Sequence, residues 1–149
     1  MTAQDSQELA ISRIFNAPRE LVYQAFTDPD QLAQWFGPVG FSVPRESVEI
    51  DPRPGGVERF VMVSDTDPAM TSPVNAKFTE VIENELLVGV EDGGPQEADP
   101  MTMRLEFFDE EGGRTRVELR QGPFSAEFAD QTREGWLSSF TKLDKLLTA

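Results

Sequence analysis

Any chemistry in this chain has to proceed without the two most versatile side chains. The 149 residues contain no histidine and no cysteine, which excludes zinc sites, thiolate nucleophiles, disulfides and triads with an imidazole base. Carboxylates, arginines and a lone tyrosine remain. Tyr23, Arg13, Arg59, Arg104, Glu80 and Glu106 fall in segments of apolar pattern, where a buried carboxylate beside an arginine can work as acid or base once its pKa is shifted. Their spacing pairs none of them, so the sequence assigns no catalytic residue, no metal ligand set and no cofactor. The acidic stretches DTDPAM (65–70) and DEEGG (109–113) lack the ligand pattern of an EF-hand. Gly55-Gly56 follows Arg53-Pro54 between two strand-like segments with no helix after it, so a phosphate-cradling loop is not expected. A bend with positive φ is, with Asp51 or Arg53 fixing it through hydrogen bonds.

The richer set is apolar. Trp35, Phe36, Phe60, Met62, Phe78, Met103, Leu105, Phe107, Leu119, Phe128, Trp136 and Phe140 recur at strand or helix spacing, and each either fills a core or lines a ligand cavity. Methionine suits both, being polarizable and adaptable. Gly135, next to Trp136 in a helical pattern, costs about 1 kcal/mol relative to alanine. Either the sheet comes close there or the site leaves room for a ligand beside the indole.

Net charge is −14, from 27 acidic and 13 basic residues. Such a field repels nucleic acid and anionic lipid surfaces. The N-terminal MTAQDSQELA shows no signal-peptide pattern, and no apolar run approaches the ~18 residues of a membrane span. The expectation is a soluble, cytoplasmic protein.

These residues must be positioned by regular elements. Residues 1–7 are polar and expected to fray. Leu9, Ile11 and Phe15 alternate in a strand over 8–15 with Arg13 on the same face. Pro18 opens a short helix with the stripe Leu21, Val22, Ala25 and Phe26. Asp28 caps a second helix, with Pro29 at its first position and Gln31 where a capping box wants it; Gly37-Pro38 stops it. Leu32, Trp35 and Phe36 share a face of that helix. Period-two segments follow at about 42–50, 57–63, 74–82, 86–91, 101–108 and 114–121. They are separated by the turns DPRPGG, DTDPAMTSP, IENE, DGGPQEADP and DEEGG, and short connections imply an antiparallel meander. From Ser125, a suitable N-cap, a helix runs to the end of the sequence with Phe128, Thr132, Trp136, Phe140, Leu143 and Leu147 on one face. Glu127 and Asp130 stand at its start, Lys142 and Lys145 near its end. Nothing in the composition marks a boundary, so residues 1–149 are expected to form one domain.

The order strand, two short helices, six strands, long C-terminal helix is that of an α+β helix-grip fold. RIFNAPRELVYQAFTDPDQLAQWFGP (13–38), IDPRPGGVERF (50–60) and EGWLSSFTKLDKLL (134–147) together resemble the activator of heat shock protein 90 ATPase homologue family of the START-like (Bet v 1-like) superfamily. The resemblance implies a cavity between sheet and terminal helix that takes a small hydrophobic molecule. Two alternatives stay open beside it: a chaperone-associated module, and a polyketide cyclase- or hydrolase-like enzyme. In the eukaryotic activators the matching region accompanies an N-terminal chaperone-binding domain that these residues do not contain. Unaided acceleration of a chaperone ATPase is therefore not expected, and oligomeric state is not legible.

Overall fold

A computed structural model describes residues 7–91, 101–124 and 126–148. Three expectations lie outside them in whole or part: the turn at 92–100, the Ser125 cap and the fraying of residues 1–7, of which Gln7 is described and does not fray but opens the first strand opposite Phe124. The elements are β1 (Gln7–Phe15), α1 (Arg19–Thr27), α2 (Pro29–Trp35), β2 (Phe41–Ser42), β3 (Glu49–Ile50), β4 (Val57–Ser64), β5 (Thr71–Ile82), β6 (Leu86–Glu91), β7 (Met101–Glu110), β8 (Arg114–Phe124) and α3 (Ala126–Leu147). One antiparallel sheet has the order β1-β8-β7-β6-β5-β4-β2, with β3 also on β4. The first strand thus pairs with the last, and α3 packs on that end of the sheet and on the two short helices.

Local chemistry accounts for the boundaries. The Asp28 carboxylate accepts from the backbone N–H groups of Asp30 and Gln31, satisfying donors at the start of α2 that have no partner within the helix. Pro44 interrupts the expected 42–50 strand: a single 3₁₀ turn over Arg45–Ser47 divides β2 from β3, because proline sets its own φ and has no N–H for a ladder. β5 starts earlier than its alternation suggests. Among the described residues, 71–75 pair with β4 alone, so Pro73, with no N–H for a ladder, falls outside the stretch paired with β6. β8 likewise continues past Gln121 through a cis Gly122-Pro123 bond to Phe124. On α1 the buried set is Val22, Tyr23, Ala25 and Phe26, while Leu21 is exposed.

The Pro-Gly-Gly bend is a clasp between strands. Gly55 has φ +85°, and a Cβ on Gly56 would lie 2.0 Å from the Asp51 carbonyl oxygen. The Gly55 N–H donates to the Phe78 carbonyl at 2.8 Å, and the Phe78 N–H donates to Gly56 O at 2.9 Å, beside a register shift in β5. Arg53 Nε donates to Asp51 Oδ2 at 2.7 Å.

Trp35 is fully buried between the short helices and α3. Its Nε1 donates to the Ala25 carbonyl at 2.9 Å, and its ring lies 4.9 Å from Phe26 and 6.3 Å from Phe140 between centroids. Phe140 meets Phe15 edge-on at 5.2 Å. Arg13, on the inner face of β1, pairs with Asp144 of α3 and lays its guanidinium over the rings of Phe15 and Phe140. The C-terminal half of α3 is thereby fastened down. Trp35→Ala is expected to destabilise the fold by about 3–5 kcal/mol, and Trp35→Phe, which mainly loses the hydrogen bond, by about 1–2 kcal/mol in denaturant unfolding.

Candidate functional site

Above β4–β8 the N-terminal part of α3 does not close onto the sheet, and a cavity of about 450 Å³ lies between them. Strand register determines its wall. Glu58, Phe60 and Met62 of β4 face inward in alternation, opposite Ala76, Val74 and Ser72 of β5. Next come Leu87, Gly89 and Glu91 of β6, Met101, Met103 and Leu105 of β7, and Gln121 and Phe124 of β8. The roof is Phe128, Thr132, Gly135, Trp136 and Ser139 of α3, and one end is closed by Phe36, Gly37 and Pro38.

The twelve apolar residues singled out from the sequence divide between wall and core. Phe36, Phe60, Met62, Met103, Leu105, Phe128 and Trp136 line the cavity. Trp35, Phe107, Leu119 and Phe140 are buried away from it, as is Phe78, whose backbone holds the Pro-Gly-Gly clasp. Adjacent residues Trp35 and Phe36 therefore have different tasks: α2 ends between them, so one indole faces the core and the next ring turns to the cavity. Phe36 stands at 4.6 Å from Phe60 and 5.3 Å from Trp136, edge-on to both. Phe128 remains about half exposed at the rim, against Phe124 at 5.5 Å. The indole Nε1 of Trp136 donates to Gln121 Oε1 at 2.9 Å. Gly135 does not mark a close approach of the sheet: a Cβ there would meet nothing within 4 Å.

The polar groups proposed from sequence lie elsewhere. Arg104 pairs with Glu106 and Arg59 with Glu49, Glu80 is exposed, and Arg13 is held by Asp144. Tyr23 is buried edge-on against Phe107, and burial, then Glu83, raises its pKa. Lys142 donates to the Phe41 carbonyl at 3.1 Å, and burial lowers its pKa. The charged groups that do line the cavity, Glu58 and Glu91, were passed over. Their parity with Phe60 and Met62, and with Leu87 and Gly89, carried the signal. Burial first, and the nearby Glu91 second, push the Glu58 carboxyl up to about 7. Among the described residues no cluster of three or more carboxylates is placed to hold a metal.

A curved antiparallel sheet that holds a long C-terminal helix over an apolar cavity defines the START-like, helix-grip class. The family model for activator of Hsp90 ATPase homolog 1-like proteins matches residues 16–148, and the chain belongs to this family. Its fold is similar to that of protein CV1439 from Chromobacterium violaceum, at 22% identity and a TM-score of 0.84, covering 95% of this chain and 97% of that one. The AHSA1 protein of Silicibacter pomeroyi is 24% identical with a TM-score of 0.80, over 95% and 98% of the two chains. Protein NE0264 of Nitrosomonas europaea is 25% identical with a TM-score of 0.79, over 95% and 94%. No curated protein matches the chain. Among the described residues no helix is long and apolar enough to cross a membrane.

The raised pKa of Glu58 has a thermodynamic consequence. Between the ordinary carboxylate value of 4.5 and about 7 the folded state binds the extra proton, so this residue's contribution to stability falls as pH rises through that window. Glu58→Gln is therefore expected to stabilise the protein by about 1–2 kcal/mol near pH 8 and to have little effect near pH 5, read from melting curves at the two pH values.

Proposed function

We propose that the protein binds a small hydrophobic molecule in the cavity between the sheet and α3. The observation that carries this reading is the cavity itself, about 450 Å³ beside a cluster of buried apolar residues. Cavities of this size with mostly apolar walls and a few polar groups are the usual form of small-molecule sites. Packing alone would favour collapse, since apolar voids forgo dispersion contacts. Here Phe36 stands edge-on against both Phe60 and Trp136 beside the space.

A second reading, an enzyme of the cyclase or hydrolase type, has one observation in its favour. Glu58, with its pKa near 7 in an apolar setting, suits a general acid or base. The hydroxyls of Ser72, Thr132 and Ser139 also line the cavity, the last two donating to backbone carbonyls of α3, so the role this reading gives Glu58 is proton transfer.

Gly135 offers the direct test. Its missing side chain opens onto free space beside Trp136, so Gly135→Leu fills the cavity from the roof. The variant is expected to be more stable than the parent by about 1 kcal/mol, through helix propensity, and to lose binding of an environment-sensitive apolar dye. Dye fluorescence and Trp136 emission in the two proteins check both halves. Equal dye binding by parent and variant would remove the cavity as the site.

A further inference from the structure

The charge inside the cavity is one-sided. All thirteen basic residues of the chain fall within the described segments, and none of them lines the cavity, whereas Glu58 and Glu91 both do. The two acidic residues stand in one row across three strands: Glu58 is opposite Ala76 on β5, and Ala76 is opposite Glu91 on β6. With neighbouring strands about 4.8 Å apart, the two Cα atoms are separated by roughly 10 Å. Between them on β5 stands Ala76, whose side chain is a methyl group. The row is thus a notch with a carboxylate on each side and a small apolar floor, continuous with the aromatic wall through Phe60 on the same face of β4.

The Glu58 side chain is partly buried on the cavity wall and, among the described residues, makes no hydrogen bond or ion pair. An acid shielded from water in that way is costly to ionise, and a ligand that brings a positive charge or a hydrogen-bond donor supplies what the fold withholds. A ligand carboxylate or phosphate would instead meet two acidic side chains on a wall that no basic residue lines. The overall charge of −14 acts in the same direction at longer range, drawing cations and repelling anions before entry.

On the reading that the cavity is a hydrophobic-ligand site, we propose that it selects amphiphilic amines: molecules whose protonated nitrogen sits between Glu58 and Glu91 while a hydrocarbon or aromatic body lies against Phe36, Phe60 and Trp136. The same arrangement discriminates against fatty acids of equal length. Because Glu58 must lose its proton to pair with an ammonium group, affinity for the amine rises with pH below about 7, by up to about tenfold per pH unit. Affinity for a carboxylate ligand falls over the same range.

Three probes with the same twelve-carbon chain separate the terms: dodecylamine, dodecanol and dodecanoate, each below its micellar concentration, titrated into the full chain by calorimetry. Near pH 8 the amine is expected to bind about tenfold or more tighter than the carboxylate, with the alcohol between them. The gap should narrow near pH 5.5. Glu58→Gln and Glu91→Gln, each checked for a native circular dichroism spectrum, should narrow it near pH 8, with dodecanol binding as the reference for any general loss of affinity. If the carboxylate binds as tightly as the amine, or the variants leave their ratio unaltered, the proposal is overturned and the hydrophobic-ligand reading stands. If none of the three probes binds, both are overturned.

Discussion

The cavity depends on where α3 is held and where it is not. Trp35, seated without solvent contact and hydrogen-bonded to Ala25, gives the C-terminal half of the helix a rigid support through Phe140. The Arg13–Asp144 pair fastens the same half to β1. Close packing at that end is what native interiors normally achieve throughout. At the other end α2 has stopped, Gly37 turns the chain with φ +95°, and Phe36 stands upright against Phe60 and Trp136. Those rings, supported at right angles to one another, resist collapse of the helix onto the strands.

On the ligand-binding reading, the apolar wall is shared among five strands and a helix, so it supplies binding energy with little shape information. Orientation must come from the few polar groups: the Glu58–Glu91 row at one place and the Gln121–Trp136 hydrogen bond at another. The convex face of the sheet spends its charges differently. Arg116 bridges Glu110 and Glu118, and Arg104 pairs with Glu106, in partly exposed pairs that each contribute little to stability. Basic residues are used to satisfy neighbours on the surface, and none of them lines the cavity.

The alternation of apolar residues, the Asp28 cap, the Pro-Gly-Gly bend and the helical stripe from Phe128 to Leu147 determined the fold class from the sequence alone, because each is a local steric or hydrogen-bonding rule. Boundaries set by partners were not legible in this way. Residues 71–73 become strand only because β4 is there to receive them, and β8 passes through Gly122-Pro123 only because β1 and β7 pair on either side. Residue type could not separate cavity wall from core either: Phe36 and Trp35, or Phe60 and Phe78, are equally apolar and differ only in what stands opposite. Gly135 read first as a close approach of the sheet, and the tertiary structure decided for space, since a Cβ there meets nothing within 4 Å. Glu58 and Glu91 lie 33 positions apart in the sequence, and nothing local relates them. Their juxtaposition arises from the register of three strands across Ala76, and their one-sided charge from the place each arginine and lysine takes in the folded molecule.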